Sequence, residues 1–419
     1  MKMRPFGHLA PVATARRRLL AAIRPVSGSE SIPLLDAYGR VAAATYRAGA
    51  AVPPFARAAW DGYALRSADT RSARPSRPVR LRVIGEVYAE ESPGRPLRSG
   101  EAVAIATGGA IPGGADAVEV FEEVAEGDRF IDVREPVSRG DHVAEVGEDF
   151  RRGATVVRRG EFLTPAAIGG LAAVGERSVK GFRQPRVGIV PNGNELLAPE
   201  DPAAPRKIRE SNNLTLAAVV RAAGCVPIPY HPTRDDPDLI ERAVRRAMAS
   251  ADLVLVTGGS SVGEHDYLPA VLPRIGRLLF HGIAVRPGMP TLAVNARGTA
   301  VVGMPGHPTS CLANGFWLLL PALRKLAHLP GPGWFDGVAR LRHPVDVPTA
   351  GLSTIVPLRV ENGWGTPTFH HSSAITSLSG TNAFALLPPR AVHLRSGSRV
   401  RAHFLPPPLA VPPIPPIDS

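Results

Sequence analysis

The residues best placed to do chemistry lie between Leu253 and Tyr267. Four apolar residues, Leu253-Val254-Leu255-Val256, predict a fully buried strand. They run into Thr257-Gly258-Gly259-Ser260-Ser261-Val262-Gly263 and then Glu264-His265-Asp266. Glycines directly after a buried strand allow a sharp turn that aims backbone N–H groups at an anion. Two carboxylates and an imidazole beside that turn point to a phosphorylated ligand held together with a cation. Glycines also end strands for structural reasons alone, so the meaning of the turn depends on the elements around it.

Those elements alternate. Residues 186–190 predict a buried strand, and Ser211-Asn212-Asn213 starts a helix that runs through Leu216 and Val220 to a capping Gly224. Residues 226–230 form the next strand, Asp236-Pro237-Asp238 opens a helix through Ile240 and Val244, and 253–256 is the third strand. Runs at 291–294 and 300–302 extend the sheet, and Pro308 opens an apolar helix through Phe316, Leu319 and Leu323. This order predicts a parallel α/β sheet, which binds ligands beyond the carboxyl ends of its strands. At those ends stand Asn192-Gly193-Asn194-Glu195, Arg234-Asp235-Asp236, the glycine turn, and Gly303-Met304-Pro305-Gly306-His307-Pro308-Thr309-Ser310. Glu195, Asp235 and Asp266 would repel one another unless a cation joined them, and Mg²⁺ is the natural choice. Asp235 or Asp236, just before Pro237, reads equally as a helix N-cap.

The rest of the chain sets the frame. Residues 8–23 predict an amphipathic helix, and 53–147 are rich in valine, glycine and proline in short runs, a small all-β unit. Within that unit Asp61, Thr107 and Gly147-Glu148-Asp149 are candidate site residues, each of which also reads as an ordinary turn. Thr164-Pro165 predicts a capped helix start. The chain thus divides into an N-terminal helical and linker domain (1–52 with 148–182), a small β domain (53–147), an α/β domain (183–330), a C-terminal β domain (331–405) and a proline-rich tail (406–419). It has 419 residues, a net charge of +12 and only four lysines. The arginines are scattered rather than clustered, which argues against nucleic-acid binding and leaves at most a field that draws anions into a cleft. No apolar run approaches a membrane span, and two cysteines form no disulfide framework or metal motif, so the cytoplasm is the expected compartment.

In combination the motifs resemble one family. Trp60-Asp61-Gly62-Tyr63-Ala64, Ala106-Thr107-Gly108, Gly147-Glu148-Asp149, Asn192-Gly193-Asn194-Glu195-Leu196, Arg234-Asp235-Asp236, the 257–267 loop, 280–288 and Met304-Pro305-Gly306-His307-Pro308 occur in the order found in MoeA proteins, the molybdopterin molybdotransferases related to the gephyrin E domain. The resemblance implies a multi-domain α/β plus all-β fold, with a central MogA-like α/β domain, flanking small β domains and an N-terminal helical and linker domain. It implies insertion of molybdate into adenylylated molybdopterin with release of AMP and use of Mg²⁺. It also implies a homodimer whose active cleft is shared between subunits, and a molybdoenzyme as acceptor. Residue by residue, Gly258, Gly259, Ser260, Ser261 and Gly263 would hold phosphate. Glu195, Asp235 and Asp266 would hold Mg²⁺ or act at the adenylyl phosphorus. Asp61, Thr107 and Asp149 would join them from the partner subunit. Pro305, Gly306, Pro308 and Ser310 would shape the pocket, and Arg286 would meet an anion. The chain departs from the family pattern at Gly282, Arg286 and Met289, where lysines are common, and at Asn194, His307 and Trp60. These departures motivate an alternative: a non-catalytic or specialised paralogue that binds and delivers molybdopterin or the finished cofactor, or one that prefers tungstate.

Overall fold

The computed structural model describes residues 7–261, 263, 266–347, 351–390 and 393–406. Glu264 and His265, and the tail from 407 onward, lie outside the described residues. The chain divides into two compact units. One comprises residues 31–38 and 42–180; the other holds 1–30, 39–41 and 181–419.

The larger unit is built on helix α1 (Val12–Ala22), strand β1 (Arg186–Pro191), α2 (Asn212–Ala222), β2 (Val226–Pro229), α3 (Pro237–Met248), β3 (Leu253–Thr257), α4 (Leu268–Ile275), β4 (Arg277–His281), β5 (Leu292–Ala296), β6 (Thr299–Met304), α5 (Pro308–Asn314) and α6 (Leu320–Leu326). The strands form one sheet in the order β2-β1-β3-β6-β5-β4. β2, β1, β3 and β6 run parallel; the near-continuous apolar sequences of β1, β3 and β6 suit strands covered on both faces, and β2 is the part-exposed edge. The sheet is not parallel throughout, however: β5 runs antiparallel to β6, and β4 antiparallel to β5. Only Arg297 and Gly298 separate β5 from β6, both at positive φ (54° and 99°), so the link is a hairpin and not a helical crossover. The apolar run at 291–294 thus carried the strand but not its direction.

Two cores flank the sheet. On one face Leu19 of α1, Leu216 and Val220 of α2, and Leu319 and Leu323 around α6 pack over Ile189, Leu255 and Val302. On the other, Ile240 and Val244 of α3 and Val271 and Leu272 of α4 pack over Val190, Val254 and Val301. The alternation along each strand sends neighbouring side chains to opposite layers. Truncating a fully buried residue such as Leu255 to alanine costs about 3 kcal/mol.

The same unit ends in a small β structure. Ser353–Glu361, Trp364–Pro367, Phe335–Leu341, Arg399–Phe404 and Ala383–Leu387 pair in turn, and the last pairs back on the first. Val285–Arg286 adds to its edge, parallel to Ser353–Glu361. The smaller unit carries a six-stranded sheet from residues 62–133, as the valine- and glycine-rich pattern predicts. Thr164 caps the helix Pro165–Ala173 through a bond from Ala167 N. No described helix is long and apolar enough to cross a membrane.

Candidate active site

The chain path makes the site. From β1 it goes out to β2 on one side and returns to β3 on the other. That reversal splays the connections at the carboxyl ends of β1 and β3 and leaves a crevice there. A cavity of about 1350 Å³ opens at this point. Three turns form its floor, one from each of β1, β3 and β6. Asn192 N donates to Thr257 O (2.8 Å), and Gly258 N donates to Met304 O (3.3 Å), so the turns are stitched side by side. Gly258 sits at φ +85°, and a Cβ there would lie 2.1 Å from the Asn192 carbonyl oxygen. A Cβ on Gly306 would lie 3.5 Å from Gly258 Cα. Glycine is required at Gly258, where the main chains approach this closely, whereas the contact at Gly306 is an ordinary one.

The predicted site residues of this unit come together here. Glu195, Asp235, Asp266, Gly258, Gly259, Ser260, Ser261, Gly263, Arg286, Pro305, Gly306, Pro308 and Ser310 all line the cavity. Their bonding is less free than the sequence suggests. Asp235 accepts from Asn192 Nδ2 and from Asn194 N, both at 2.9 Å. Asp236 is the helix cap, taking Asp238 N and Leu239 N at 2.9 Å, which leaves Asp235 to the cavity. Asp266 accepts from Ser261 N (3.1 Å) and Gly263 N (2.7 Å), so two amides expected to face an anion are turned inward on a carboxylate. Ser260 donates its hydroxyl to Pro290 O at 2.6 Å. An anion at this loop therefore reaches Ser261 N and Gly263 N only by drawing them away from Asp266.

Among the described residues no three of His, Cys, Asp and Glu converge as a metal-binding group. The described side chains do not form a protein cage for Mg²⁺. They fit the other common arrangement, in which one or two carboxylates and the substrate's phosphates share the ion. The Glu195 carboxylate is exposed in the cavity and has no hydrogen bond or ion pair among the described residues, and Asp235 keeps lone pairs beyond its two N–H partners.

The facing wall comes from the 286–290 segment and the C-terminal β structure. Asn314 Nδ2 donates to Gly288 O (2.8 Å) and Thr291 Oγ1 (2.7 Å), which fixes the turn that carries Arg286 and Met289. Arg286 is exposed, so its guanidinium is free to meet solvent or ligand. His307 Nδ1 meets Ser372 Oγ at 3.3 Å, and Thr309 Oγ1 donates to Ala374 O at 2.7 Å, so the Pro305–Ser310 turn is anchored on the C-terminal loop.

Residues 10–175 match the family described as the MoeA N-terminal region, domains I and II, and residues 188–325 match a probable molybdopterin binding domain. The molybdopterin molybdenumtransferase of Bacillus subtilis is 33% identical over 402 residues, spanning 93% of each chain. That of Nostoc is 31% identical over 413 residues, spanning 96% of this chain and 94% of its own. The chain belongs to the MoeA family. Its fold agrees: the crystal structure of a Pyrococcus horikoshii OT3 MoeA protein superposes with a TM-score of 0.84 at 31% identity, covering 95% of this chain and all of that one.

The other MoeA motifs lie in the smaller unit. There Asp61 accepts from Thr107 N (2.6 Å) and Thr107 Oγ1 (2.8 Å), which joins two predicted residues 46 positions apart. The amide and then the hydroxyl of Thr107 hold the Asp61 carboxyl below its usual range. Asp149 is exposed, placed by its N–H to Val52 O at 3.0 Å. Several cavity residues escaped the sequence reading. Arg209 and Asn212 line the wall, although Asn212 was legible only as part of a helix start. The capping carboxylate there is Glu210, which takes Asn213 N at 2.9 Å with each oxygen, while Ser211 makes no side-chain cap. His370, His371 and Ser372 come from a loop with no periodic signal, brought in by the pairing of residues 285–286 with 353–354 and by the bonds from His307 and Thr309.

Proposed function

We propose that this chain inserts molybdate into adenylylated molybdopterin and releases AMP. Membership of the MoeA family makes it a transferase of molybdenum cofactor biosynthesis; the adenylylated substrate, Mg²⁺, the homodimer with a shared cleft, the molybdoenzyme acceptor and a cytoplasmic setting belong to the proposal. One observation carries it: the three strand-end turns, two held carboxylates and a free arginine meet in one cavity large enough for a pterin with its phosphate.

In this reading Gly258, Gly259, Ser260, Ser261 and Gly263 receive a phosphate, and Arg286 neutralises an anion on the opposite wall. Glu195 and Asp235 orient a nucleophile at the adenylyl phosphorus, and Asp266 holds the loop until the anion replaces its grip on Ser261 N and Gly263 N. Pro305, Gly306, Pro308 and Ser310 set the pocket's shape. Mg²⁺ held between substrate phosphates and Glu195 or Asp235 would offset the charge of the phosphoryl oxygens. Asp61, Thr107 and Asp149 act from the partner subunit.

A second reading has its own support. Met289 places a thioether in the cavity wall, and Asn194 offers Asp235 N an amide oxygen at 3.2 Å in place of a carboxylate. A thioether where a lysine is common removes a cationic partner for an oxyanion, which supports a carrier of molybdopterin or finished cofactor; a preference for tungstate is compatible with the same change. Expression in a cell lacking its own insertase separates the two readings. Restored molybdoenzyme activity supports insertion; a folded protein that binds pterin yet restores nothing supports the carrier.

A further inference from the structure

Two buried amides in the cavity wall have an acceptor with nothing to accept. Asn192 is 2% exposed and Asn212 7% exposed, and both line the cavity. Asn192 Nδ2 donates to Asp235 Oδ1 at 2.9 Å, and Asn212 Nδ2 donates to Gly306 O at 2.7 Å. A carboxylate and a carbonyl only accept, so neither amide can be turned over: each nitrogen is pinned and the other end must be oxygen. Among the described residues, neither Asn192 Oδ1 nor Asn212 Oδ1 has a hydrogen-bond partner. Native interiors rarely leave an acceptor so, because its lost hydration is not replaced. Glycine turns lie against the nitrogen end of both amides. A Cβ on Gly259 would sit 2.9 Å from Asn192 Nδ2, and Gly306 itself holds Asn212. Both oxygens are out of contact with solvent, so a ligand reaches them only by displacing the turns beside them. Asn213 offers the contrast: its Nδ2 donates to Tyr230 O at 3.0 Å and its Oδ1 is equally unmet, but it does not line the cavity.

We infer that Asn192 and Asn212 read the donor edge of the substrate, and that the edge is an aminopyrimidinone, the amino and ring N–H side of a pterin. Two fixed acceptors in the wall of one cavity call for N–H donors on the ligand, and a site built to receive N–H groups rejects an analogue that lacks one. The inference rests on the proposed function and deepens it, assigning specificity to two residues outside the phosphate loop and the carboxylates.

The test uses the full chain and two fluorescent probes, pterin and lumazine, which differ in that lumazine carries an oxo group where pterin carries its amino group. Titration is expected to give pterin at least about tenfold tighter binding. Asn212→Leu, similar in size but without the acceptor, should weaken pterin about tenfold and leave lumazine unchanged, while Asn213→Leu changes neither. If Asn212→Leu fails to fold, judged by circular dichroism, the wild-type ratio decides alone. Equal affinities for the two probes, with both displaced by molybdopterin, would overturn the inference and leave the proposed function standing. Failure of pterin and of molybdopterin to bind would remove both.

Discussion

The α/β cavity and the Asp61 corner of the smaller unit hold their carboxylates in opposite ways. In the cavity, Asp266 is spanned by two backbone amides and Asp235 by one backbone and one side-chain amide, beside a glycine turn packed at main-chain contact distance. At the corner, Asp61 stands in solvent with a single partner residue, Thr107. Carboxylates of the first kind are part of the fold, and their removal disturbs what surrounds them. A carboxylate of the second kind is available for chemistry at almost no structural cost. Function and stability should therefore separate at Asp61 and travel together at Asp235 and Asp266.

Glycine substitutions probe this contrast most strongly. Gly258→Ala forces a Cβ to 2.1 Å from a carbonyl oxygen at φ +85°, and should lower stability by about 3 kcal/mol or more in denaturant titrations. Gly108→Ala, at φ +86° but 3.5 Å from the nearest side chain, should cost only about 1 kcal/mol. Equal losses would erase the distinction. Next in size, Asp266→Ala strands Ser261 N and Gly263 N and should cost about 2 kcal/mol. Asp61→Ala should stay within about 0.5 kcal/mol of wild type while abolishing turnover, which calorimetry and an AMP assay together would show.

The smallest effect is one of pH. Glu119, on the strand paired with Gly62–Leu65, is pushed up to about 7 by burial and then by Glu123, Asp141 and Glu135. A raised carboxyl favours the folded state fully below the ordinary carboxylate range and loses that contribution as pH rises through 7. Glu119→Gln should thus gain stability relative to wild type at pH 8 and not at pH 4. Asp61 runs the other way: its lowered carboxyl adds stability above the ordinary carboxylate range, lost as pH falls below it. Thermal midpoints across pH for the two variants should diverge in these opposite directions.

The strands, most helices and the glycine turn were legible because burial on both faces imposes apolar runs and strand-end turns impose glycine. The hairpin at Arg297-Gly298 was not, since a buried strand reads alike in either direction. The motif residues of the larger unit line the cavity, yet their bonding was hidden. Nothing in the spelling Gly263-Glu264-His265-Asp266 says that Asp266 folds back onto the loop amides. Asn212 was invisible as a site residue because a helix start explains it fully until Gly306 O is found on its nitrogen. His371 and Ser372 required the C-terminal sheet to be closed and joined to residues 285–286 before they could be placed.

The account stands most directly on one measurement: AMP released when the purified chain meets adenylylated molybdopterin and Mg²⁺, with and without molybdate. It predicts release that depends on molybdate, yields active cofactor and disappears in Asp61→Ala without loss of fold. Tight retention of the adenylylated pterin with no release, in protein shown to be folded, would contradict it and leave a carrier.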